Sequence, residues 1–300
     1  MPIPNFLLIG AQKCGTTALY AALRQHPDIY MSPNKEPFFF IMDGKLPAYA
    51  MPGPRYTDRL VYDWDAYCHL FAGANGQQAI GEASAIYLSS YYPERTAERI
   101  YQRIPDARLI AMVRQPAERA YSAHTFYHAR GLEPLADFAQ ALAAEPARVR
   151  SGAMPDLRYR LNGCYYANLK PYFDRFPRQQ LRVYLYEEWN SQPTAVLKDI
   201  FRFLAIDDTV AVAVQRANVT YQYHSQWLGR FLRNPNRTGR WLFSHLPVQV
   251  HAQLTRWNQV TPPPIPPAIR RTLTASYREE IQQLQALLGR DLTHWLNEEP

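Results

Sequence analysis

Short, solid runs of apolar residues alternate along the chain with stretches in which apolar residues recur at helical spacing. The solid runs lie at 6–9 and 108–113, and two further short strands are predicted at 78–81 and 181–185. The helical patterns lie at 16–25, 93–103, 116–129, 135–144, 162–176, 193–204 and 277–288. Solid runs are typical of strands buried on both faces of a parallel sheet, and strands that alternate with helices indicate an α/β fold. We therefore predict an open, mostly parallel sheet flanked by helices.

Two long segments do not follow this alternation. Residues 42–63 are rich in Pro, Gly and Tyr, and residues 226–267 mix Trp with Arg. The second segment ends in a proline-rich run at 261–267, which is typical of a polyproline-like spacer. Irregular segments of this length either form lids and binding walls or are structural excursions. We predict one domain over residues 1–300, with irregular segments near 42–63 and 226–267.

Composition narrows the class of protein without choosing a function. The formal net charge of +7 indicates an anionic partner, which could be nucleic acid, an acidic lipid surface or a polyphosphorylated small molecule. The three cysteines form no Cys-x-x-Cys pair, which argues against a zinc site or a disulfide framework and favours a reducing setting. No signal peptide is visible, and no apolar run approaches the roughly 20 residues of a membrane span. We expect a soluble, cytoplasmic protein.

A glycine-rich loop joins the first predicted strand to the first predicted helix. Residues 10–17 read Gly-Ala-Gln-Lys-Cys-Gly-Thr-Thr. The two glycines allow a tight turn whose N–H groups point inward, and the helix N-terminus adds partial positive charge, so the loop is suited to phosphate. ATP- and GTP-binding loops place lysine directly after the second glycine, where this chain has Thr16. Here the lysine is Lys13, inside the loop, from where it can reach the bridging oxygen of a substituted phosphate.

Two further motifs supply a carboxylate and an arginine. Lys35 and Glu36 precede Pro37 and an aromatic run, and a positioned carboxylate can take the proton of a poor nucleophile. The other interpretation of this motif is a surface ion pair before buried aromatics. Arg114 follows the third predicted strand, and Ser122 lies on the next predicted helix. Ligands of open α/β sheets bind where strands end, and arginine offers a planar fork to phosphate oxygens.

The loop resembles the 5′-phosphosulfate loop of sulfotransferases that use 3′-phosphoadenosine-5′-phosphosulfate (PAPS). The most similar branch is that of the heparan sulfate N- and O-sulfotransferases and their stand-alone bacterial relatives. The resemblance implies a P-loop-type, three-layer sulfotransferase fold, with PAPS as co-substrate and no metal. It also implies that the loop binds the 5′-phosphosulfate, and that Lys13 stabilises the leaving oxygen. The implied loop contacts are Lys13, Cys14, Gly15, Thr16 and Thr17.

The same resemblance assigns roles outside the loop. Glu36 corresponds to the catalytic base, and Lys35 to a neighbour that contacts donor and acceptor. The pattern Arg-x-Pro-x-x-Arg-Ala-x-Ser at 114–122 resembles the 3′-phosphate site, with Arg114 and Ser122 as the binding residues. Arg119, inside this pattern, has no such role, and we expect it to form a solvated ion pair with Glu118 or another neighbour.

Two less specific assignments complete the predicted site. Tyr165, in a Gly-x-Tyr sequence that begins a helical pattern, is predicted to contact the donor. His124 lies four residues before His128, and we expect this helix face to line the acceptor cleft rather than to hold a metal. Arg237 and Arg240 could be the counterpart of a Lys-Gly-Arg loop that encloses the nucleotide in relatives.

The predicted activity is transfer of a sulfuryl group from PAPS to a hydroxyl, or an amine, of a small-molecule, lipid or carbohydrate acceptor. Ala83 and Ala85 stand where the heparan O-sulfotransferases carry Lys and Pro, which argues against a heparan-like acceptor. Two other functions remain open at this stage: a P-loop small-molecule kinase that uses ATP and magnesium, and a non-catalytic basic protein that binds nucleic acid. We favour the sulfotransferase, with neither nucleic acid nor a membrane span involved.

Overall fold

A computed structural model describes residues 1–42, 60–89, 91–214, 221–233 and 248–297. Its centre is a five-stranded sheet in the order β2-β3-β1-β4-β5, and all neighbouring strands are parallel. The predicted parallel α/β fold is therefore confirmed. The strands are β1 Phe6–Gly10, β2 Ile29–Met31, β3 Ala79–Ala83, β4 Arg108–Val113 and β5 Leu181–Leu185.

Helices flank the sheet and follow the predicted pattern closely where proline marks a start. Pro93 and Pro116 each open a helix at a bound that the sequence predicts, because proline at the first helical turn needs no N–H partner. The helices are α1 Thr16–Leu23, α2 Trp64–His69, α3 Pro93–Arg103, α4 Pro116–Ala129, α5 Phe138–Ala143, α6 Glu145–Arg150, α7 Tyr165–Phe173, α8 Tyr186–Ser191, α9 Pro193–Leu204, α10 Gln226–Arg233, α11 Val248–Asn258, α12 Pro267–Ser276 and α13 Arg278–Leu288.

The strand order decides where a ligand can bind. The connection after β1 leads to β2, which lies on one side of β1 in the strand order. The connection after β4 leads to β5, which lies on the opposite side. The loops after β1 and β4 therefore diverge, and such switch points form the ligand crevice of open α/β sheets. Gly10 pairs with Ala111, and the Ala11 N–H donates to the Met112 carbonyl at 2.6 Å. Both predicted phosphate motifs therefore follow the carboxyl ends of these two neighbouring strands.

The segment 226–267 differs from the sequence-based expectation. We expected an irregular segment, but its described part contains α10, α11 and β7 Gln259–Val260, which pairs antiparallel with β6 Gln222–Tyr223. The fully buried Asn258 fixes this unit, because its side chain bonds the backbone of Ser225 in both directions at 2.8 and 3.0 Å. Such long-range bonds leave no periodic signal in the sequence. Residues 43–59 of the other irregular segment, and Arg237 and Arg240, lie outside the described residues.

Close packing between β1 and β3 generates a stability prediction. Gly81 faces Phe6 across the two strands, and a Cβ at Gly81 would lie 2.5 Å from the Phe6 ring. We expect Gly81→Ala to lower the free energy of unfolding by about 1–3 kcal/mol, because the ring must shift within a packed core. Urea denaturation measures this loss. In a Phe6→Leu background the same change should cost less, and an equal loss in both backgrounds would contradict the steric explanation.

Candidate active site

The loop after β1 has the geometry of an anion-binding turn. Lys13 adopts a left-handed backbone conformation with φ 66°, and Gly15, with φ 88°, precedes the first residue of α1. The Ala18 and Leu19 N–H groups donate to the Gly15 carbonyl at 3.0 and 3.1 Å, so Thr16 and Thr17 carry the N–H groups that the start of α1 offers to a ligand. The Cys14 N–H, in contrast, donates to the Ala11 carbonyl at 3.3 Å and closes the turn.

The Lys13 ammonium lies in a strongly cationic environment. Its Nζ is 3.7 Å from the centre of the Phe126 ring, and the guanidinium carbon of Arg130 is also 3.7 Å from that centre. Burial, together with repulsion from Arg130, Arg114 and Arg119, lowers the pKa of Lys13 from 10.5 to about 7. A cluster of like charges with this much repulsion favours binding of an anion.

Tyr165 connects the two ends of the predicted donor site. This fully buried tyrosine begins α7, and its hydroxyl lies 3.6 Å from the Cys14 sulfur and accepts the Arg114 backbone N–H at 3.4 Å. The loop after β1 and the end of β4 therefore lie within reach of one side chain. Burial raises the pKa of the Cys14 thiol to about 11, so the thiol stays protonated at neutral pH and is no nucleophile.

Arg114 is held at the end of β4 by groups that sequence reasoning missed. Its guanidinium lies 4.8 Å from the Tyr186 ring centre and 3.8 Å from a Glu118 carboxylate oxygen. Tyr186 also packs close to Gly15, where a Cβ would meet its ring at 3.2 Å. Tyr186 is thus adjacent to the loop and to Arg114 at once. Ser122 follows on α4 and is nearly buried.

Glu36 lies beside the end of β3, close to the loop. Its backbone N–H donates to the Ala83 carbonyl at 2.9 Å, and its carboxylate accepts a hydrogen bond from Lys35 at 3.1 Å. Glu36 has φ 64°, a left-handed conformation that is strained for a residue with a side chain. Both predicted side chains of this motif remain about a quarter exposed, which leaves them accessible to a substrate.

Asp156 is a buried acid that no sequence motif indicated. It accepts hydrogen bonds from the Gln12 amide at 2.7 Å and from the Tyr127 hydroxyl at 2.5 Å. Burial raises the pKa of its carboxyl, the two hydrogen bonds lower it, and the negative charge of Glu36 raises it. Asp156 therefore bonds the loop residue next to Lys13 and interacts electrostatically with the predicted base. Gln12 lies more than a hundred residues before Asp156 in the chain, so no local sequence pattern could have revealed this contact.

Comparison with known proteins identifies the family. Residues 4–210 match the family described as Sulfotransferase family. This chain is a member of the sulfotransferase family. A crystal structure of a sulfotransferase from Alicyclobacillus acidocaldarius superposes with a TM-score of 0.77 at 32% identity, and the match covers 99% of this chain and 100% of that one.

Two curated relatives are longer than this sulfotransferase. Human carbohydrate sulfotransferase 15 is 28% identical over 253 residues, which covers 67% of this chain and 44% of the relative. The bovine bifunctional heparan sulfate N-deacetylase/N-sulfotransferase 2 is 30% identical over 215 residues, which covers 68% of this chain and 22% of the relative. The chain thus spans less than half the length of these curated relatives.

Two sequence-based expectations for α4 of this sulfotransferase need revision. Arg119, expected in a solvated ion pair, is fully buried and donates from one guanidinium nitrogen to the Tyr159 carbonyl. It contributes positive charge to the loop from inside the protein. His124 is only 3% exposed, its Nε2 lies 2.9 Å from the Leu135 carbonyl, and burial lowers its pKa. This placement does not support an acceptor contact, so His124 has no part in the proposal below.

The described parts of the chain contain no group of three or more His, Cys, Asp or Glu side chains that could hold a metal ion. None of the helices in these ranges is long and apolar enough to cross a bilayer.

The low pKa of Lys13 predicts a pH-dependent stability. Between pH 7 and pH 10.5 the unfolded chain holds the Lys13 proton more tightly than the folded chain does, so stability rises with pH over this window. Lys13→Met removes the unfavourable charge, and we expect its free energy of unfolding at pH 7 to exceed that of wild type by about 1–3 kcal/mol. Urea denaturation across this pH range measures the excess, which should shrink as the pH rises.

A lysine outside the site provides the control for this experiment. Lys198 is exposed on α9, and Lys198→Met should leave the free energy of unfolding and its pH dependence close to those of wild type. A Lys13→Met variant that is less stable than wild type at pH 7 would contradict the electrostatic explanation.

Proposed function

We propose that this sulfotransferase transfers a sulfuryl group from PAPS to an acceptor hydroxyl or amino group. One observation carries the proposal: the loop with Lys13 and the end of β4 with Arg114 meet at one edge of the sheet, with Tyr165 between them. A nucleotide with phosphate groups on both its 5′ and 3′ positions suits two separate cationic sites that one side chain connects. The family membership supports the same reaction class.

In this proposal the two ends of the crevice bind different phosphates of the donor. The loop from Lys13 to Thr17 binds the 5′-phosphosulfate through backbone N–H groups and the Lys13 ammonium. Arg114 and Ser122 bind the 3′-phosphate and thereby discriminate PAPS from ATP, which has none. Tyr165 supports both ends through its contacts with Cys14 and Arg114. Lys13 gains a proton on binding if it is neutral beforehand, because the anion favours its charged form.

The chemistry is an in-line displacement at sulfur. Glu36 takes the proton from the acceptor as the acceptor oxygen or nitrogen forms a bond to sulfur. The bond between sulfur and the 5′-phosphate oxygen breaks, and the leaving oxygen keeps the electron pair. Lys13 and the loop N–H groups stabilise the charge that develops on this oxygen. Lys35, which donates a hydrogen bond to Glu36, has the proposed role of contacting donor and acceptor. The products are the sulfated acceptor and 3′-phosphoadenosine-5′-phosphate (PAP).

A carbohydrate or another small hydroxylated molecule is the proposed acceptor class. The relatives that match this chain include proteins named for carbohydrate and heparan sulfate substrates. Ala83 and Ala85 are both buried and offer no charge where heparan O-sulfotransferases carry a lysine, so a less anionic acceptor is expected. A cytoplasmic location stays a prediction. Incubation with labelled PAPS and a panel of hydroxylated sugars and metabolites, followed by mass spectrometry, identifies the acceptor.

Donor and base variants test the proposed roles. Glu36→Gln should lower the transfer rate by about 10²–10⁴-fold and leave PAP affinity nearly unchanged, because the base touches only the acceptor proton. Lys13→Ala should lower both the transfer rate and PAP affinity, because the ammonium binds the 5′ end in the ground state and at the transition state. Transfer assays with labelled PAPS and calorimetric titration with PAP separate the two effects. Full activity in both variants would contradict the assignment.

Arg114→Ala tests the 3′-phosphate site and the alternative of a kinase. We expect it to weaken PAP binding by about 10–100-fold while binding of adenosine 5′-phosphate changes little. Arg182 is an exposed arginine on β5. The matched control is Arg182→Ala, which should leave PAP binding unchanged. Thermal stabilisation by ATP with magnesium, but not by PAP, would instead favour the kinase.

A further inference from the structure

Glu82 is a fully buried carboxyl that the proposed reaction does not use. It lies in β3 and accepts hydrogen bonds from three hydroxyls: Tyr87 at 2.6 Å, Ser84 at 2.9 Å and Tyr67 at 3.4 Å. All three hydroxyl-bearing residues are themselves buried. A buried acid with three donors is a costly arrangement, which persists only when the surrounding structure maintains it.

Two of these hydroxyls also hold the backbone of the segment that contains Glu36. Ser84 Oγ accepts the Phe38 N–H, and Tyr87 Oη accepts the Phe40 N–H, each at 3.4 Å. A hydroxyl has one proton, and here that proton is donated to Glu82. The lone pairs of both hydroxyls are therefore left facing the backbone N–H groups. The orientation of both hydroxyls thus depends on the carboxyl of Glu82.

The segment 36–40 needs such support because its backbone is strained. Glu36 and Phe38 have φ values of 64° and 61°, and left-handed non-glycine residues each cost on the order of 1–3 kcal/mol. Further backbone restraints are the bond from the Glu36 N–H to the Ala83 carbonyl, the bond from the Val61 N–H to the Pro37 carbonyl and the bond from Arg99 Nη1 to the Phe40 carbonyl. The stacking of Phe39 on Tyr67, with ring centres 4.5 Å apart, adds a contact between the segment and the Glu82 network.

We propose that Glu82 is a positioning residue that acts through Ser84 and Tyr87 to hold the strained 36–40 segment, and so sets the place of the Glu36 carboxylate. The inference deepens the proposed function, because it rests on Glu36 as the base. Glu82 does not touch the substrate. It determines where the base is, and it is the only acid among the described contacts of these two hydroxyls.

The electrostatics agree with a role close to Glu36. The pKa of Glu82 is raised to about 7, because burial and the negative charge of Glu36 together outweigh the lowering by the three hydroxyl hydrogen bonds. The two carboxyl groups therefore interact. Glu82 ionises near pH 4.5 in the unfolded chain and near pH 7 in the folded chain. The free energy of unfolding therefore falls as the pH rises from 4.5 to 7. The network is thus retained at a cost in stability, as is common where function requires it.

Hydrogen exchange at the Phe38 and Phe40 amides tests the network without any acceptor. Ser84→Ala and Tyr87→Phe each remove one hydroxyl and fit the space of the native side chain, so both should fold. We expect protection of the Phe38 amide to fall at least about tenfold in Ser84→Ala, and that of the Phe40 amide likewise in Tyr87→Phe. Glu82→Gln, which cannot accept the same set of hydrogen bonds, should lower both. Unchanged protection in these variants would overturn the proposal.

Tyr172→Phe is the matched control. The Tyr172 hydroxyl is buried in the same region and donates to the Tyr87 carbonyl at 2.8 Å, but it has no bond to Glu82 or to residues 36–40. The Tyr172→Phe variant should lose a comparable free energy of unfolding, while protection of the Phe38 and Phe40 amides stays within about twofold of wild type. A loss of protection in the control equal to that in Ser84→Ala would also overturn the proposal, because it would indicate general loosening.

Transfer kinetics test whether the Glu82 network acts through Glu36. With labelled PAPS and the acceptor found by the screen, Ser84→Ala should lower kcat at least about fivefold while the KM for PAPS changes less than about twofold. In a Glu36→Gln background, the same substitution should have little further effect on the residual rate, because it acts through Glu36. Equal losses in both backgrounds would contradict positioning of the base. Absence of transfer by the wild-type protein would refute the proposed function, whereas hydrogen exchange still decides the network.

Discussion

The parallel pairing of β1 with β4 brings Lys13 and Arg114 to one edge of the sheet before any ligand is present. Arg119 and Arg130 add charge of the same sign, and burial together with this repulsion lowers the pKa of the loop lysine. The strands cannot move apart to relieve this repulsion, because every residue of β1 is buried in the core. A bound anion with phosphates at both ends would remove the repulsion. The free energy that this repulsion costs the unbound protein is recovered when such an anion binds. The proposed donor fits this constraint.

A second layer of residues keeps this cationic crevice in shape. Tyr165 connects the loop to the end of β4, and Asp156 binds the Gln12 amide beside Lys13. Glu82 does the same for the segment of the proposed base, through two hydroxyls. All three groups are buried and polar: Tyr165 and Asp156 bond partners that are distant in sequence, whereas Glu82 bonds hydroxyls that are near it in the chain. Preorganisation of this kind is what a reaction that depends on positioning and charge stabilisation requires.

Sequence patterns were most informative where a single local rule governs the structure. The bounds of β4 and α4 follow from a solid apolar run and from Pro116, and the structure has them as predicted. β2 was missed because it has only three residues, too few for a pattern. In α4 the helical pattern did not predict depth: Arg119, expected to be solvated, is fully buried, and Ser122 and His124 are buried as well. A helical repeat predicts which residues share a face, but not how deeply a neighbouring element covers that face.

The sequence by itself determined the parallel α/β class, the phosphate loop and the order of the motifs, because turns, helix starts and strand runs depend on neighbouring residues. Only the tertiary structure decided which motifs meet. Strand order and crossover direction bring the loop, Arg114 and Tyr165 together, and no short-range pattern encodes them. The same holds for the protonation of Lys13 and Glu82, whose pKa values depend on burial and on charges supplied by remote segments. Electrostatic interactions act through space, so the chain must fold before its charges acquire their roles.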